Sequence, residues 1–494
     1  MGRPVDLLII KPGDKKKVYG GLSASMSAIE PPIWTALMAA YLSEKGRSVR
    51  IIDVEAEDIG PDEAARRSME FEPSIIGFFV TGSNLSASTW HMTGAREYIA
   101  AFRKLRPKAR TFLWGLHPSA LPERTLREEG TEFVVEGEGF LTISSMLDAL
   151  AGDRAARLEG IPGLWSRDGG AARPAKAPLL KDLDVLPSPS WDLLPMDRYR
   201  SHNWQCFGGL SKRQPYGVIY SSFGCPFNCS FCNLKVLFGG PGVRYRSPAR
   251  VLEDLDVLVK DYGVRNIKVL DECFVLDKKH VTEICDLIIA RGYDLNIWAY
   301  ARIDTVDAQL LAKLKRAGFH WLCYGIESGS KNILQGVSKR GFDRKRIEDT
   351  IRMTKEAGIS IIANFMFGLP DDDLDTMKDT LELAKELNCE YTNFYATMAY
   401  PGSDIYEQAL KDKVRLPRIW RGYSAYSEES LPLPTLHLKA EQVLEFRDKA
   451  FVEFHSNPAY LAMIEKKFGR ETADYMRGVV KHVLKREILA QPEQ

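Results

Sequence analysis

Three cysteines, Cys225, Cys229 and Cys232, lie close together near the middle of a 494-residue chain, in the run Gly224-Cys225-Pro226-Phe227-Asn228-Cys229-Ser230-Phe231-Cys232. At this spacing one loop can wrap an edge of a cubane [4Fe–4S] cluster and ligate three of its irons. The fourth iron stays open to a small chelating ligand. A cluster built only for electron transfer closes with four cysteines, and a structural zinc site uses paired Cys-x-x-Cys units. A zinc knuckle and chance clustering are the competing readings, and the sequence downstream argues against both. The other cysteines, Cys206, Cys273, Cys285, Cys323 and Cys389, are scattered singly. That pattern speaks for a reducing cytoplasm rather than a disulfide framework.

Two series of alternating strands and helices must position these residues, so the fold class is α/β. In residues 1–150, short apolar runs at 5–10, 48–53, 74–80, 110–115 and 133–137 alternate with helical stretches. Five strands with crossover helices predict a doubly wound parallel sheet of flavodoxin order. Ligands of such sheets bind at the carboxyl ends of the strands, here the loops 11–14, 81–86, 115–121 and 136–140. No G-x-G-x-x-G follows the first strand, which excludes a dinucleotide fingerprint. Residues 151–215 lose periodicity and read as a linker, with a loop at 167–174 and a rigid proline-rich connector at 186–191. From 216 to 414 a second series places strands at 218–222, 266–270, 296–301, 320–326, 360–367 and 391–395. Six units of this kind suit a partial (β/α)6 barrel of TIM type, open on one side, with chemistry at the carboxyl ends of its strands. Residues 415–494 read as a helical cap that shapes the substrate pocket, or as a structural or oligomerising tail.

Bulk composition narrows the function. Lys plus Arg number 67 against 66 Asp plus Glu, a net charge of +1. This balance offers no global field for nucleic acid. No apolar run is long enough for a transmembrane segment, and the first residues pass straight into a strand without a signal-peptide pattern.

The cysteine run resembles the signature of the radical SAM superfamily. The stretches 115–123 and 136–139 are similar to the cobalamin-binding domain that precedes some radical SAM domains, and Tyr324-Gly325-Ile326-Glu327-Ser328-Gly329-Ser330 resembles the cobalamin-dependent members. The resemblance implies three cofactors: a [4Fe–4S] cluster on Cys225, Cys229 and Cys232, S-adenosyl-L-methionine (SAM), and cobalamin. At the strand ends, Asp271 and Glu272 would receive the SAM ammonium, Arg302 its carboxylate and Glu327 a ribose hydroxyl, with backbone near Phe231 and Gly368 holding adenine. Cobalamin would lie against Pro12, Gly13, Ser83, Asn84, Leu85, Ser86, Gly115, His117, Pro118, Glu136, Gly137 and Glu138. The D-x-H-x-x-G motif that supplies a histidine to cobalt is missing. Its nearest match, Thr89-Trp90-His91-Met92-Thr93-Gly94, lacks the Asp and follows the third strand. His91 is therefore read as a helix-surface or packing residue, with the 83–86 loop covering the lower face of cobalt. Cys273 reads as a packed core cysteine rather than a radical-quenching thiol.

The domain order resembles that of the class B radical SAM methyltransferases. This implies cleavage of SAM to a 5′-deoxyadenosyl radical, hydrogen abstraction from an unactivated carbon, and methyl transfer from methylcobalamin. Other members of the same architecture carry out oxidative cyclisation, ring contraction or epimerisation. A non-catalytic cobalamin-binding regulator is the alternative of another class; the intact cysteine motif and the absence of a DNA-binding segment weigh against it. A tRNA methylthiotransferase would need a second cysteine set and a basic RNA-binding module. The expected partners are a small-molecule substrate (sugar, nucleotide, lipid or natural-product intermediate) and an external electron donor such as flavodoxin or ferredoxin.

Overall fold

Strands that are apolar on both faces need cover on both sides, and the first five strands obtain it. The structure is a computed structural model that describes residues 4–490 except 14, 20–26, 83, 152–157, 159 and 168–172. Strands β1 (Leu7–Lys11), β2 (Val49–Asp53), β3 (Ile75–Val80), β4 (Arg110–Gly115) and β5 (Phe133–Val135) pair in parallel. The order is β2-β1-β3-β4-β5, the flavodoxin arrangement. A sixth strand, β6 (Leu164–Ser166), pairs antiparallel with β5 and ends that edge of the sheet. It lies in the segment expected as linker, because three residues are too few to show a period. Most of the loop expected at 167–174 lies outside the described residues.

The helix Ile33–Ser43 explains how the two halves are joined. Ten of its eleven residues are buried, as befits a helix that is hydrophobic all round and packed on every side. Trp34 stacks on Phe140 of the first domain (5.7 Å) and on Phe223 beside the cysteine loop (4.7 Å). Its indole Nε1 donates to Tyr220 Oη at 3.0 Å. The connector that follows β6 has no long element. Single turns at Leu183–Val185, Trp191–Leu193 and Met196–Arg198 bury Leu183, Trp191 and Met196. Ser190 N donates to Ala36 O at 3.1 Å, and Ile29 bridges Arg200. The connector therefore wraps the two domains together rather than spacing them.

The second sheet contains β7 (Tyr216–Ile219), β10 (Asn266–Val269), β11 (Asn296–Ala301), β12 (Phe319–Glu327), β13 (Ser360–Phe367) and β14 (Tyr391–Ala396), all parallel and paired in that order. This is the open six-stranded barrel wall that the spacing predicts. One detail differs. The expected first barrel strand, 218–222, is split: β7 ends at Ile219, and Ser222–Cys225 forms β8, which pairs antiparallel with β9 (Gly242–Tyr245). The cysteine loop thus starts from a hairpin beside the barrel, not from the barrel strand itself. After β14, helices Ala440–His455, Pro458–Phe468 and Arg470–Val479 form the cap. The segment before them reaches back to the first domain, where Trp420 Nε1 donates to Glu129 Oε1 at 2.9 Å and Tyr426 stacks on Tyr19 at 4.7 Å.

Candidate active site

The cysteine loop is fixed by backbone contacts on three sides. Gly224 has φ +97°, and a Cβ there would stand 2.4 Å from Gly242 O across the hairpin, so only glycine lets β8 and β9 close at that point. Ser230 N donates to Val337 O (3.1 Å), Ile405 N to Ser230 O (3.1 Å) and Cys232 N to Cys229 O (3.0 Å). The three cysteines are half-buried and free. Burial pushes the Cys225 and Cys232 thiols up to about 12 and raises Cys229 as well, while Lys339 and Arg302 pull Cys229 the other way. Such thiols give up their protons to metal. Among the described residues no set of three or more His, Cys, Asp or Glu closes on a single ion. A cubane does not require that, since its three thiolates bind three different irons, and the donor set fits such a cluster.

The barrel strand ends meet the loop around one cavity. Glu272, Arg302, Glu327, Phe231 and all three cysteines line it. Burial, with Asp271 alongside, pushes the Glu272 carboxyl up to about 8 against the pull of Lys268. Arg302 donates to both carboxylate oxygens of Asp304 (3.0 and 3.2 Å) and to Arg340 O (3.1 Å), and its guanidinium lies 3.7 Å over the Phe227 ring. Glu327 sits in the left-handed region at φ +67° and accepts from Lys339 Nζ at 2.5 Å. Strain at a non-glycine residue of this kind persists only where neighbours fix it.

Two expected SAM contacts stand elsewhere. Asp271 is buried and is not among the lining residues. Its carboxylate accepts from Ser221 N (2.7 Å), Ser221 Oγ (2.6 Å) and Ser222 Oγ (2.6 Å), which makes it the clasp between β7 and β8. The chain turns at Glu272 just after β10, and of the Asp271–Glu272 pair only Glu272 lines the cavity. Gly368, at φ +78°, packs under Val443 of the cap and donates its N–H to Asp372 Oδ2 at 3.0 Å.

From the first domain, Asn84, Leu85 and Ser86 complete the wall. Ser86 Oγ lies 3.6 Å from Cys232 Sγ. Ser83 falls outside the described residues. The remaining expected cobalamin contacts do not line this cavity: Pro12, Gly13, Gly115, His117, Pro118, Glu136, Gly137 and Glu138. Gly115 has φ +131°, and a Cβ would stand 2.2 Å from Val80 O; its freedom serves strand packing. His117 is buried between Thr89 Oγ1 (3.3 Å from Nδ1) and the Trp420 ring (4.5 Å), and burial plus Arg124 lowers it to about 3. Pro118 is buried in the short helix Leu116–Ala120. Glu136 accepts from Trp165 Nε1 at 2.9 Å, Gly137 N donates to Ser119 Oγ at 2.9 Å, and Glu138 pairs with Arg244.

The cavity also draws in residues that the sequence reading passed over. Lys11, Lys15, Glu30, His91 and Lys339 line it. His91, read as a surface or packing residue, is buried and stacks on Trp90 at 3.5 Å; only its packing is correct. Cys273, expected in the core, is buried and also lines the cavity. Lys11 Nζ donates to Glu55 Oε2 at 2.5 Å, with Lys15 Nζ 3.3 Å from the other oxygen. Lys268 of β10 holds both Glu30 oxygens at 3.1 Å. The signal for Lys11 was present, since a buried parallel strand that ends on a charge places it at the ligand-binding edge.

Comparison with known proteins agrees with this geometry. The B12 binding domain model matches residues 20–146, and the Radical SAM superfamily model matches residues 219–384. "Uncharacterized methyltransferase PH0819" of Pyrococcus horikoshii is 32% identical over 92% of this chain and 93% of its own. The anaerobic magnesium-protoporphyrin IX monomethyl ester cyclase of Rubrivivax gelatinosus is 25% identical over 94% of this chain and 81% of its own. In fold, the chain is similar to TsrM of Kitasatospora setae with cobalamin and [4Fe–4S] cluster bound (TM-score 0.69, 17% identity, 97% of this chain and 99% of that one). It is also similar to OxsB with aqua-cobalamin and SAM bound (TM-score 0.72, 15% identity, 96% and 72%). With a three-cysteine loop, a flavodoxin-type domain and a six-stranded barrel around one cavity, the chain belongs to the cobalamin-dependent radical SAM enzymes, whose cofactors are a [4Fe–4S] cluster, SAM and cobalamin.

Proposed function

We propose that this enzyme methylates an unactivated carbon of a small-molecule substrate. One observation carries the reading: the Asn84–Ser86 turn of the B12 domain and the Cys225–Cys232 loop of the radical SAM domain wall the same cavity, with Ser86 and Cys232 in contact. When bound, the cofactors supply a 5′-deoxyadenosyl radical for hydrogen abstraction and a methyl group for the same carbon. The chain supplies position and dryness. Cys225, Cys229 and Cys232 would hold the cluster. Glu272 and Arg302 would orient the amino acid end of SAM, and Glu327, fixed by Lys339, its ribose. Asp304, Arg340 O and Phe227 keep the Arg302 guanidinium in one place, so little freedom is lost on binding. The Asn84–Ser86 turn would cover the cobalamin. Electrons come from an external one-electron carrier such as flavodoxin or ferredoxin, in a reducing cytoplasm; the eight free cysteines and the lack, among the described residues, of a helix long and apolar enough to cross a membrane support this setting.

The test is anaerobic reconstitution with hydroxocobalamin, SAM and a reductant, followed by mass spectrometry. Methyl transfer yields S-adenosylhomocysteine and 5′-deoxyadenosine together with a methylated product. Turnover of substrate with 5′-deoxyadenosine but no S-adenosylhomocysteine would refute methylation and leave oxidative cyclisation, the activity named for the Rubrivivax relative, or another rearrangement.

A further inference from the structure

Behind the cofactor cavity, the inward faces of the barrel strands enclose a second chamber. Lys15, Gly82, Asn84, Tyr300 and Asn364 line both spaces, so the two adjoin. We propose that this chamber receives the substrate and selects an uncharged aromatic or conjugated ring system. The inference rests on the reading of the enzyme as one that delivers a radical and a methyl group to a bound small molecule.

The wall is rich in aromatic side chains. Trp298 and Tyr300 project from β11 and Tyr395 from β14. The roof is a triad that joins the first domain to the cap: Tyr19 stacks on Tyr426 of the cap (4.7 Å, 25° between planes) and meets Trp90 edge-on (5.8 Å, 62°). Aromatic pairs add about 0.5–1.5 kcal/mol each beyond the area they bury, and only a flat π-system can collect that from several faces at once. A saturated ring of the same outline would collect the area term alone.

Charge points the same way. Lys15, Lys268 and His202 are the only groups lining the chamber, among the described residues, that can carry a positive charge, and no carboxylate lines it. Lys268 is matched by Glu30 (3.1 Å to both oxygens) and stands 4.9 Å over the Trp298 ring. Lys15 is matched by Glu55 at 3.3 Å. His202 lies 3.7 Å from Glu30, and burial keeps its imidazole below its ordinary value. A phosphate or carboxylate entering here would lose its water and find each cation already committed. The chamber does offer neutral polarity. Asn393 Nδ2 donates to Asn364 Oδ1 (2.9 Å), and Asn364 Nδ2 donates to Cys323 Sγ (3.2 Å). This ladder runs across adjacent strands β12, β13 and β14, and its central Asn364 lines both cavities. A heteroatom at the ring edge would bind there, which directs that edge toward the cysteine side.

Three probes of one outline separate the terms: 2-naphthol (flat, neutral), decahydro-2-naphthol (saturated, neutral) and 2-naphthyl phosphate (flat, charged). Their dissociation constants are measured by equilibrium dialysis against the full-length enzyme, reconstituted anaerobically with cluster, cobalamin and SAM. The expected result is 2-naphthol binding about tenfold or more tighter than either of the other two. Tyr395→Leu should weaken 2-naphthol about fivefold or more and leave decahydro-2-naphthol within about twofold. Equal or tighter binding of the phosphate overturns the charge argument, and equal binding of the saturated alcohol overturns the aromatic one. 5′-Deoxyadenosine formation is followed in the same preparation. If it forms while the probe order fails, the substrate inference falls and the radical reading stands; if it does not form, the radical reading itself falls.

Discussion

Replacing Lys268 by methionine tests a buried charge contact that ties the first domain to the barrel. Glu30 precedes the buried helix Ile33–Ser43 and Lys268 lies in β10; their side chains are only 9% and 1% exposed. Burial alone would push the Glu30 carboxyl up. The Lys268 ammonium outweighs it, helped by His202 and Lys15, and holds it at about 2 against an ordinary 4.5. At about 1.4 kcal/mol per pH unit, such a shift corresponds to roughly 3 kcal/mol of stability near neutral pH. Because the folded value is the lower one, that stability is present above the ordinary carboxylate range and is lost as pH falls through it toward about 2. Lys268→Met leaves the carboxylate buried with Tyr216 Oη at 3.3 Å and His202 at 3.7 Å. Removing one partner of a buried pair costs about 3–5 kcal/mol, in line with the linkage figure. The pH slope should also invert. Burial then dominates, the folded state takes up a proton more readily than the unfolded chain, and the variant recovers part of its loss as pH falls from neutral to about 5. The double variant Glu30→Gln/Lys268→Met removes the stranded charge and should regain about 2 kcal/mol or more relative to Lys268→Met. Urea denaturation followed by tryptophan fluorescence, with unchanged m-values as a control, measures all three variants. A Lys268→Met cost below about 1 kcal/mol, or single costs that simply add in the double variant, would refute the reasoning.

Cys229→Ala should abolish the iron–sulfur absorption and SAM cleavage, whereas Cys273→Ala should keep the cluster; iron and sulfide content with visible spectra decide it, and loss of the cluster in both would mean a fourth ligand. Glu272→Gln should raise the SAM dissociation constant about tenfold or more, while Asp271→Asn should instead cost about 1–3 kcal/mol of stability by weakening the Ser221–Ser222 clasp; equilibrium dialysis and urea titration separate the two, and the reverse assignment would restore Asp271 as the SAM contact. His117 is held neutral down to about pH 3 in the folded protein. Its folded value is the lower one, so below its ordinary value of 6.5 the unfolded chain binds a proton that the folded chain does not, and stability falls with pH. His117→Gln should remove about one proton's worth of that slope between neutral pH and about 5, seen as urea midpoints that converge with wild type on acidification; parallel curves would place the acid sensitivity elsewhere.

The cysteine site was legible because its information is local: three ligands, one loop, one spacing. The two sheets were legible because parallel strands buried on both faces read as continuous apolar runs. What the sequence left open depends on which way a side chain turns. Asp271 and Glu272 are adjacent and chemically alike, and only the split between β7 and β8 shows that Asp271 closes on Ser221 and Ser222 while Glu272 faces the cavity. The 136–138 loop resembles a ligand loop, yet Arg244 and Trp165 occupy its two carboxylates. Those partners are far along the chain, so no local pattern announces them. His91 and Lys11 reach the cavity only because β1 and β3 are sheet neighbours. β6 escaped notice through its length, and the aromatic triad Tyr19–Trp90–Tyr426 through its dispersal over three regions of the chain.

The helix Ile33–Ser43 has a consequence for how ligands stabilise the protein. Trp34, Leu183 and Trp191 share one uninterrupted apolar core with Val218 and Ile267 of the barrel and Val443 of the cap. The other face of the first sheet packs in a cluster of its own, around Leu8, Phe78 and Leu113, but the shared core runs through both domains and couples their unfolding. A ligand that binds only the folded state stabilises it by RT ln(1 + [L]/Kd), and here that increment is shared by the whole chain. Loading cobalamin on one side is therefore expected to raise the melting temperature of the barrel, and building the cluster on the other to protect the B12 domain from proteolysis.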